Sequence, residues 1–207
     1  IINRERAVQS AADCGSCHVG SGSKDPLAVN TRQFNRTFDY QGVNDNQLVV
    51  FNHIGLFSEG IDHPVAYEAF AALDDTTADL TARGKAYADT NCAHCHNSSF
   101  MDMQYDTPLA AMRWINQATS GGKYRVRPGS TDDSVVYIYQ TSDGNRMPKG
   151  SRYTNPVAEA VFAEWINGLD TSGNSSSTSS AGNSSSSSSS SVAALTSIGI
   201  APATVTL

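Results

Sequence analysis

The chain has 207 residues, 39% of them hydrophobic, and its 20 acidic side chains outnumber 14 Lys and Arg to give a formal charge of −6. That length predicts one or two small domains, and the acidic balance argues against nucleic acid and against an anionic membrane surface as partners. No apolar run is long enough to span a bilayer.

A helix-like stretch from Arg4 to Asp13 leads into Cys14-Gly15-Ser16-Cys17-His18, and a second, from Leu80 to Asn91, leads into Cys92-Ala93-His94-Cys95-His96. C-x-x-C-H is the attachment signature of c-type haem. Two thiols at this spacing can each form a thioether to one vinyl group of the same porphyrin, and the histidine that follows is placed under the iron. The two motifs use all four cysteines, so no thiol remains for a disulfide or a separate metal site. A zinc site, a redox dithiol or two structural disulfides would leave the histidine after each second cysteine unexplained. Two covalently attached haem c groups are therefore predicted, and with them electron transfer. Because c-type haem is attached outside the cytoplasm, a chain that begins at Ile1 without a signal peptide reads as a processed, exported product, periplasmic or extracellular. A haem also replaces core that a small domain of this composition could not otherwise build.

Three parts are expected: a first haem-binding segment over 1–75, a second over 76–170, and a tail over 171–207. The fold class is mainly α with long loops. In the first segment, Asn46 to Phe57 is apolar and helix-like, and Leu48, Val49, Phe51 and Ile54 could line a haem pocket around His53. This segment has no methionine, so the distal ligand of its haem is expected to be a histidine. His53 is favoured; His63, an open iron or a ligand from another subunit are the alternatives. His63 precedes Pro64, which biases it towards an extended or turn conformation. His94, between two haem-bearing cysteines, is expected to be exposed near the porphyrin edge. An amphipathic helix over Val65 to Leu73 closes the segment.

The second segment closes with a helix over Val157 to Leu169, its apolar Val157, Val161, Phe162, Trp165, Ile166 and Leu169 at helical spacing. Pro156 and Gly168 stand where helix starts and stops favour them. Met147 follows His96 by 51 residues, far enough to reach the other face of a porphyrin, whereas Met101, Met103 and Met112 lie too close. Met147 is favoured as axial ligand, with gap-filling in the core as its other role. A His/Met pair raises the potential. Arg125 and Arg127, or Arg32 and Arg36, are candidate propionate partners or solvated surface charge. Asp74-Asp75 and Asp132-Asp133 read as helix-start acids. No carboxylate pair, Ser-His-Asp set or phosphate loop supports hydrolysis or group transfer.

Residues 76–170 resemble class I cytochrome c. The resemblance rests on Gly84-Lys85-Ala86-Tyr87-Ala88 ahead of the motif, on Pro108 twelve residues after His96, on Asn145-Arg146-Met147-Pro148-Lys149-Gly150 and on the closing helix. It implies that Gly84 and Tyr87 meet Phe162 and Trp165. It also implies that the Pro108 carbonyl holds the second ring nitrogen of His96, and that Met147 is the distal ligand. The run from Arg127-Pro128-Gly129-Ser130 to Tyr137 resembles bacterial cytochrome-like proteins in which P-G, a short helix, R-M-P and a W-I helix follow in that order.

Residues 171–191 are nearly all Ser, Gly, Asn and Thr, with an unbroken run from Ser184 to Ser191. Such a segment cannot bury enough apolar surface to fold alone and reads as a flexible linker or glycosylated stalk. The uncharged, apolar stretch from Val192 to Leu207 is suited to docking on another copy of the chain. The expectation is a homopolymer, an extracellular filament whose successive haems form an electron path; a tail packed on its own domain or a cell-wall spacer is the alternative. The expected partners are redox proteins or extracellular acceptors. Three functions stand: a dihaem electron conduit or soluble shuttle, a dihaem peroxidase-type enzyme, and a structural surface fibre.

Overall fold

The computed structural model describes residues 30–149 and 154–170. These fall into two compact units, 30–70 and 71–170. Cys14, Cys17, His18, the helix expected over Arg4 to Asp13 and the tail from 171 onward lie outside the described residues.

The smaller unit runs α1 (Thr31–Phe34), β1 (Thr37–Asp39), β2 (Asn44–Asn46), α2 (Gln47–His53) and a 3-10 turn (Pro64–Ala66). The two strands form an antiparallel hairpin in which Phe38 faces Asp45. Its reversal uses positive φ at Gln41 and Gly42, and the Asp39 carboxylate accepts from the Gly42 N–H. The Asn46 side chain caps α2 by accepting from the Leu48 N–H at 2.9 Å and donates to Asn35 at 2.7 Å. Leu48 is buried, whereas Phe38, Val43, Ile54, Leu56 and Val65 are large apolar residues left exposed.

The helix expected over Val65 to Leu73 is replaced by one 3-10 turn and irregular chain. His63 takes a left-handed φ of 49° and Tyr67 is extended. Two long-range hydrogen bonds account for the difference: the Asn35 amide donates to the Tyr67 carbonyl, and the Phe70 N–H donates to the Arg32 carbonyl. Those backbone groups would be the ones closing helical turns, so tertiary pairing outcompetes a weak local preference.

The larger unit holds α3 (Leu80–Cys92), α4 (Val135–Thr141) and α5 (Pro156–Gly168). Asp79 caps α3 by accepting from the Ala82 N–H. Asn155 caps α5 by accepting from Val157 and Ala158, with Pro156 at its first position. The two long helices meet through aromatic edges. Tyr87 and Phe162 stand 5.9 Å apart, Phe162 and Trp165 6.0 Å, and Trp165 meets Trp114 at 5.9 Å. The Trp165 indole also donates to Thr81 on α3 at 3.1 Å. Around this contact Met112, Trp114, Val126 and Ile166 are fully buried. Gly84 is buried, but a Cβ placed there would meet no atom within 4 Å. The helix contact runs through Tyr87 and Thr81, so close backbone approach does not require the glycine.

Truncating Phe162 to Ala is expected to lower the unfolding free energy by about 3–5 kcal/mol, and Asn155→Ala by about 1 kcal/mol through loss of the cap. Chemical denaturation of the two variants checks both values.

Candidate functional site

The second motif sits where α3 ends. Cys92 is the last helical residue and Ala93 its C-cap, whose N–H reaches back to the Ala88 carbonyl. The Cys95 and His96 N–H groups both donate to the Cys92 carbonyl, at 3.0 and 2.9 Å. These bonds wind Cys92-Ala93-His94-Cys95-His96 into one tight turn, one face of which is continuous with the packed side of α3.

The two thiols differ. Cys92 packs against the core, and although the residue keeps some exposed surface, burial of its sulfur pushes the thiol pKa up to about 12, with Cys95 adding to the shift. Cys95 is exposed, and neither cysteine is in a disulfide. His96 is half-buried. Burial pulls its imidazole below the ordinary range, and the nearby charges of His94 and Arg125 act in the same direction. The neutral ring, the form that can ligate a metal, is the one favoured here.

The chain beyond the motif is strapped back onto α3. The Met103 N–H donates to the His96 carbonyl at 2.7 Å, the Lys85 ammonium donates to the Thr107 carbonyl at 2.7 Å, and Asp89 accepts from the Tyr105 N–H at 2.8 Å. Lys85 and Asp89 are four apart, on one face of the helix. The Pro108 carbonyl accepts from the Ala111 and Met112 N–H groups at 2.8 and 3.2 Å. It thus serves a backbone turn; a bond from it to the His96 ring is not among the hydrogen bonds of the described residues.

Of the methionines, Met103 and Met112 are consumed by the core. Met147 is half-buried in the loop after α4, tied down by its N–H to the Tyr139 carbonyl at 2.9 Å. Arg146 beside it donates to the Ser142 carbonyl at 2.7 Å and pairs with Asp143. His53, the last residue of α2, and His63 are both exposed, and His94 is half-buried where exposure was expected. Arg125 donates to the Arg113 carbonyl at 3.0 Å, and its guanidinium lies 4.1 Å from the Phe100 ring centre. Arg32 pairs with Glu68.

Among the described residues no three His, Cys, Asp or Glu side chains converge as a metal-binding group, so a closed four-ligand zinc site is not assembled there. Two buried donors have no hydrogen-bond partner, the Trp114 indole nitrogen and the Gln140 amide nitrogen. An orphaned buried donor costs about 1–3 kcal/mol. Sequence reading had assigned neither residue a role, and a polar glutamine three residues after Tyr137 and four after Val136, on the core-facing side of α4, was the available signal. These features fit a flat apolar cofactor that carries acceptor groups: a neutral imidazole next to two cysteines, and unsatisfied donors within the same unit. No protein-family model, no curated protein and no solved structure matches the chain. No helix among the described residues is long and apolar enough to cross a membrane.

In the chain without attached cofactor, Cys95 is expected to react with iodoacetamide at about pH 8 at least tenfold faster than Cys92, whose thiol stays protonated. Raising the pH towards 12 should close the gap. Mass spectrometry of the alkylated peptides reads the order.

Proposed function

We propose that the chain is a dihaem c-type cytochrome that carries electrons outside the cytoplasm, to redox proteins or extracellular acceptors and between copies of itself. The observation that carries the reading is the turn at the end of α3, in which Cys92, Cys95 and a neutral, half-buried His96 are gathered within five residues. A redox dithiol would need a low thiol pKa, and Cys92 is pushed the other way.

A bound haem supplies reversible one-electron chemistry at its iron. The residues of the chain do the rest. Cys92 and Cys95 would hold the group covalently, and His96 would be the proximal ligand. Burial keeps the His96 ring neutral, and the Met103 bond to its carbonyl limits its movement. Met147, anchored to α4 through the Tyr139 carbonyl, would help His96 hold the iron through its thioether. Trp114 and Gln140 are donors of the kind that carboxylate groups satisfy. For the first haem, Cys14, Cys17 and His18 would be the attachment residues. His53 stands exposed beside exposed Ile54 and Leu56, an accessible imidazole next to apolar surface, and would be its distal ligand.

A pyridine haemochrome assay on the purified native protein is expected to give two haems per chain, and Cys92→Ser with Cys95→Ser should reduce this to one. Absence of covalently bound haem from the native protein would sink the reading. Met147→Ala is expected to lower the potential of one haem by on the order of 100 mV, within the ~0.8 V range that axial ligands command. Redox titration of wild type and variant decides whether Met147 is the ligand.

A further inference from the structure

Charge along this chain is segregated. Residues 37–82 contain eight acidic side chains and no Lys or Arg, whereas residues 107–131 contain Arg113, Lys123, Arg125 and Arg127 and no acid. Lys123 is neutralised locally by Asp133 at 3.5 Å. Among the described residues, Arg113, Arg125 and Arg127 have no carboxylate partner. Arg125 instead covers the Phe100 ring, Arg127 covers Tyr124 at 4.6 Å, and Phe100 is itself 68% exposed. Two guanidinium groups stacked on aromatic rings, with exposed Arg113 joined to Arg125 through its carbonyl, make the composition that concentrates binding energy at protein interfaces.

The opposite composition stands on the β1–β2 hairpin. Asp39 and Asp45 are exposed and, among the described residues, have no cationic partner; their side-chain oxygens accept only from the Gly42 and Asn46 N–H groups nearby. On the same hairpin are Phe38, paired across the strands with Asp45, and Val43, 52% and 66% exposed. An acidic, apolar-tipped hairpin and a cationic, aromatic-centred face on one chain are complementary between copies.

We infer that the hairpin at 37–46 of one copy docks on the Arg113, Arg125, Arg127 and Phe100 face of the next. Because the two surfaces differ, the contact is heterologous, and repeated without closure it builds a chain of subunits rather than a closed dimer. The docking face neighbours the His96 turn, since Phe100 follows His96 by four residues and its carbonyl accepts from Arg125. The inference deepens the electron-carrier reading by naming what joins the copies, but its contacts do not depend on haem.

The test is sedimentation velocity of the full chain at about 20 mM and about 500 mM salt, where screening of interfacial charge differs several-fold in range. Wild type is expected to associate at low salt and to weaken at high salt. Arg113→Glu with Arg127→Glu, and separately Asp39→Lys with Asp45→Lys, are each expected to weaken association at least about tenfold, as close interfacial charge pairs couple by more than a kcal/mol. Mixing the two variants should restore it, because each then offers the other an opposite surface. Phe38→Ser, which leaves every charge in place, should weaken association as well and keeps the test open if the lysines disturb the hairpin turn. A monomer at both salts, or assembly indifferent to all three variants, overturns the inference. Haem content measured on the same samples separates the two readings: a haem-free chain that assembles by this rule would overturn electron transfer and leave the docking intact.

Discussion

The crossing of α3 and α5 is the contact on which the candidate site depends. The Trp165 indole on Thr81 fixes the start of α3 and Tyr87 against Phe162 fixes its C-terminal half, which ends in Cys92. Aromatic pairs of this kind bury large areas in defined orientations. The cysteine turn is therefore an extension of the best-packed part of the molecule. Its flexible-looking sequence, Ala93-His94-Cys95, gains its shape from two N–H groups that share the Cys92 carbonyl. Precise placement of a side chain such as His96 needs this kind of support from a rigid element.

The electrostatics of the turn follow from the same packing. Burial is the first cause of both shifts: it holds the Cys92 thiol protonated and the His96 ring neutral. The turn itself carries little charge, and the charged groups lie around it. Lys85 and Asp89 are spent on the strap from α3 to the following loop. Arg113 and Phe100 are exposed, and half-buried Arg125 bridges their carbonyls. A molecule of net charge −6 thus keeps a cationic face beside the cysteine turn, the arrangement that steers an acidic surface towards it.

The two units illustrate different balances of burial. In 71–170 the core closes around Trp114, Phe162 and Ile166, and among the described residues the Trp114 indole and the Gln140 and Glu159 side chains hold unsatisfied buried atoms. In 30–70 the order is polar: Asn30, Asn35 and Asn46 cap helices or join strand to turn, while five large apolar side chains stay exposed. Phe38 and Val43 are on the hairpin, Ile54 and Leu56 follow α2, and Val65 is on the 3-10 turn.

The amino-acid sequence by itself determined the elements whose signals are local. The 3.6-residue spacing from Val157 to Leu169, with Asn155, Pro156 and Gly168 at its ends, became α5. Leu80 to Cys92 became α3, which carries the second C-x-x-C-H motif at its end. Only the tertiary structure decided the rest. It dissolved the helix expected over Val65 to Leu73, because Asn35 and Arg32, more than thirty residues away, take that stretch's backbone groups. It turned the Pro108 carbonyl towards Ala111 and Met112, left His53 at an exposed helix end, and buried Trp114 and Gln140 without partners. Those outcomes depend on which distant groups meet, and a hydrogen bond or a buried donor between residues far apart has no period along the chain from which to read it.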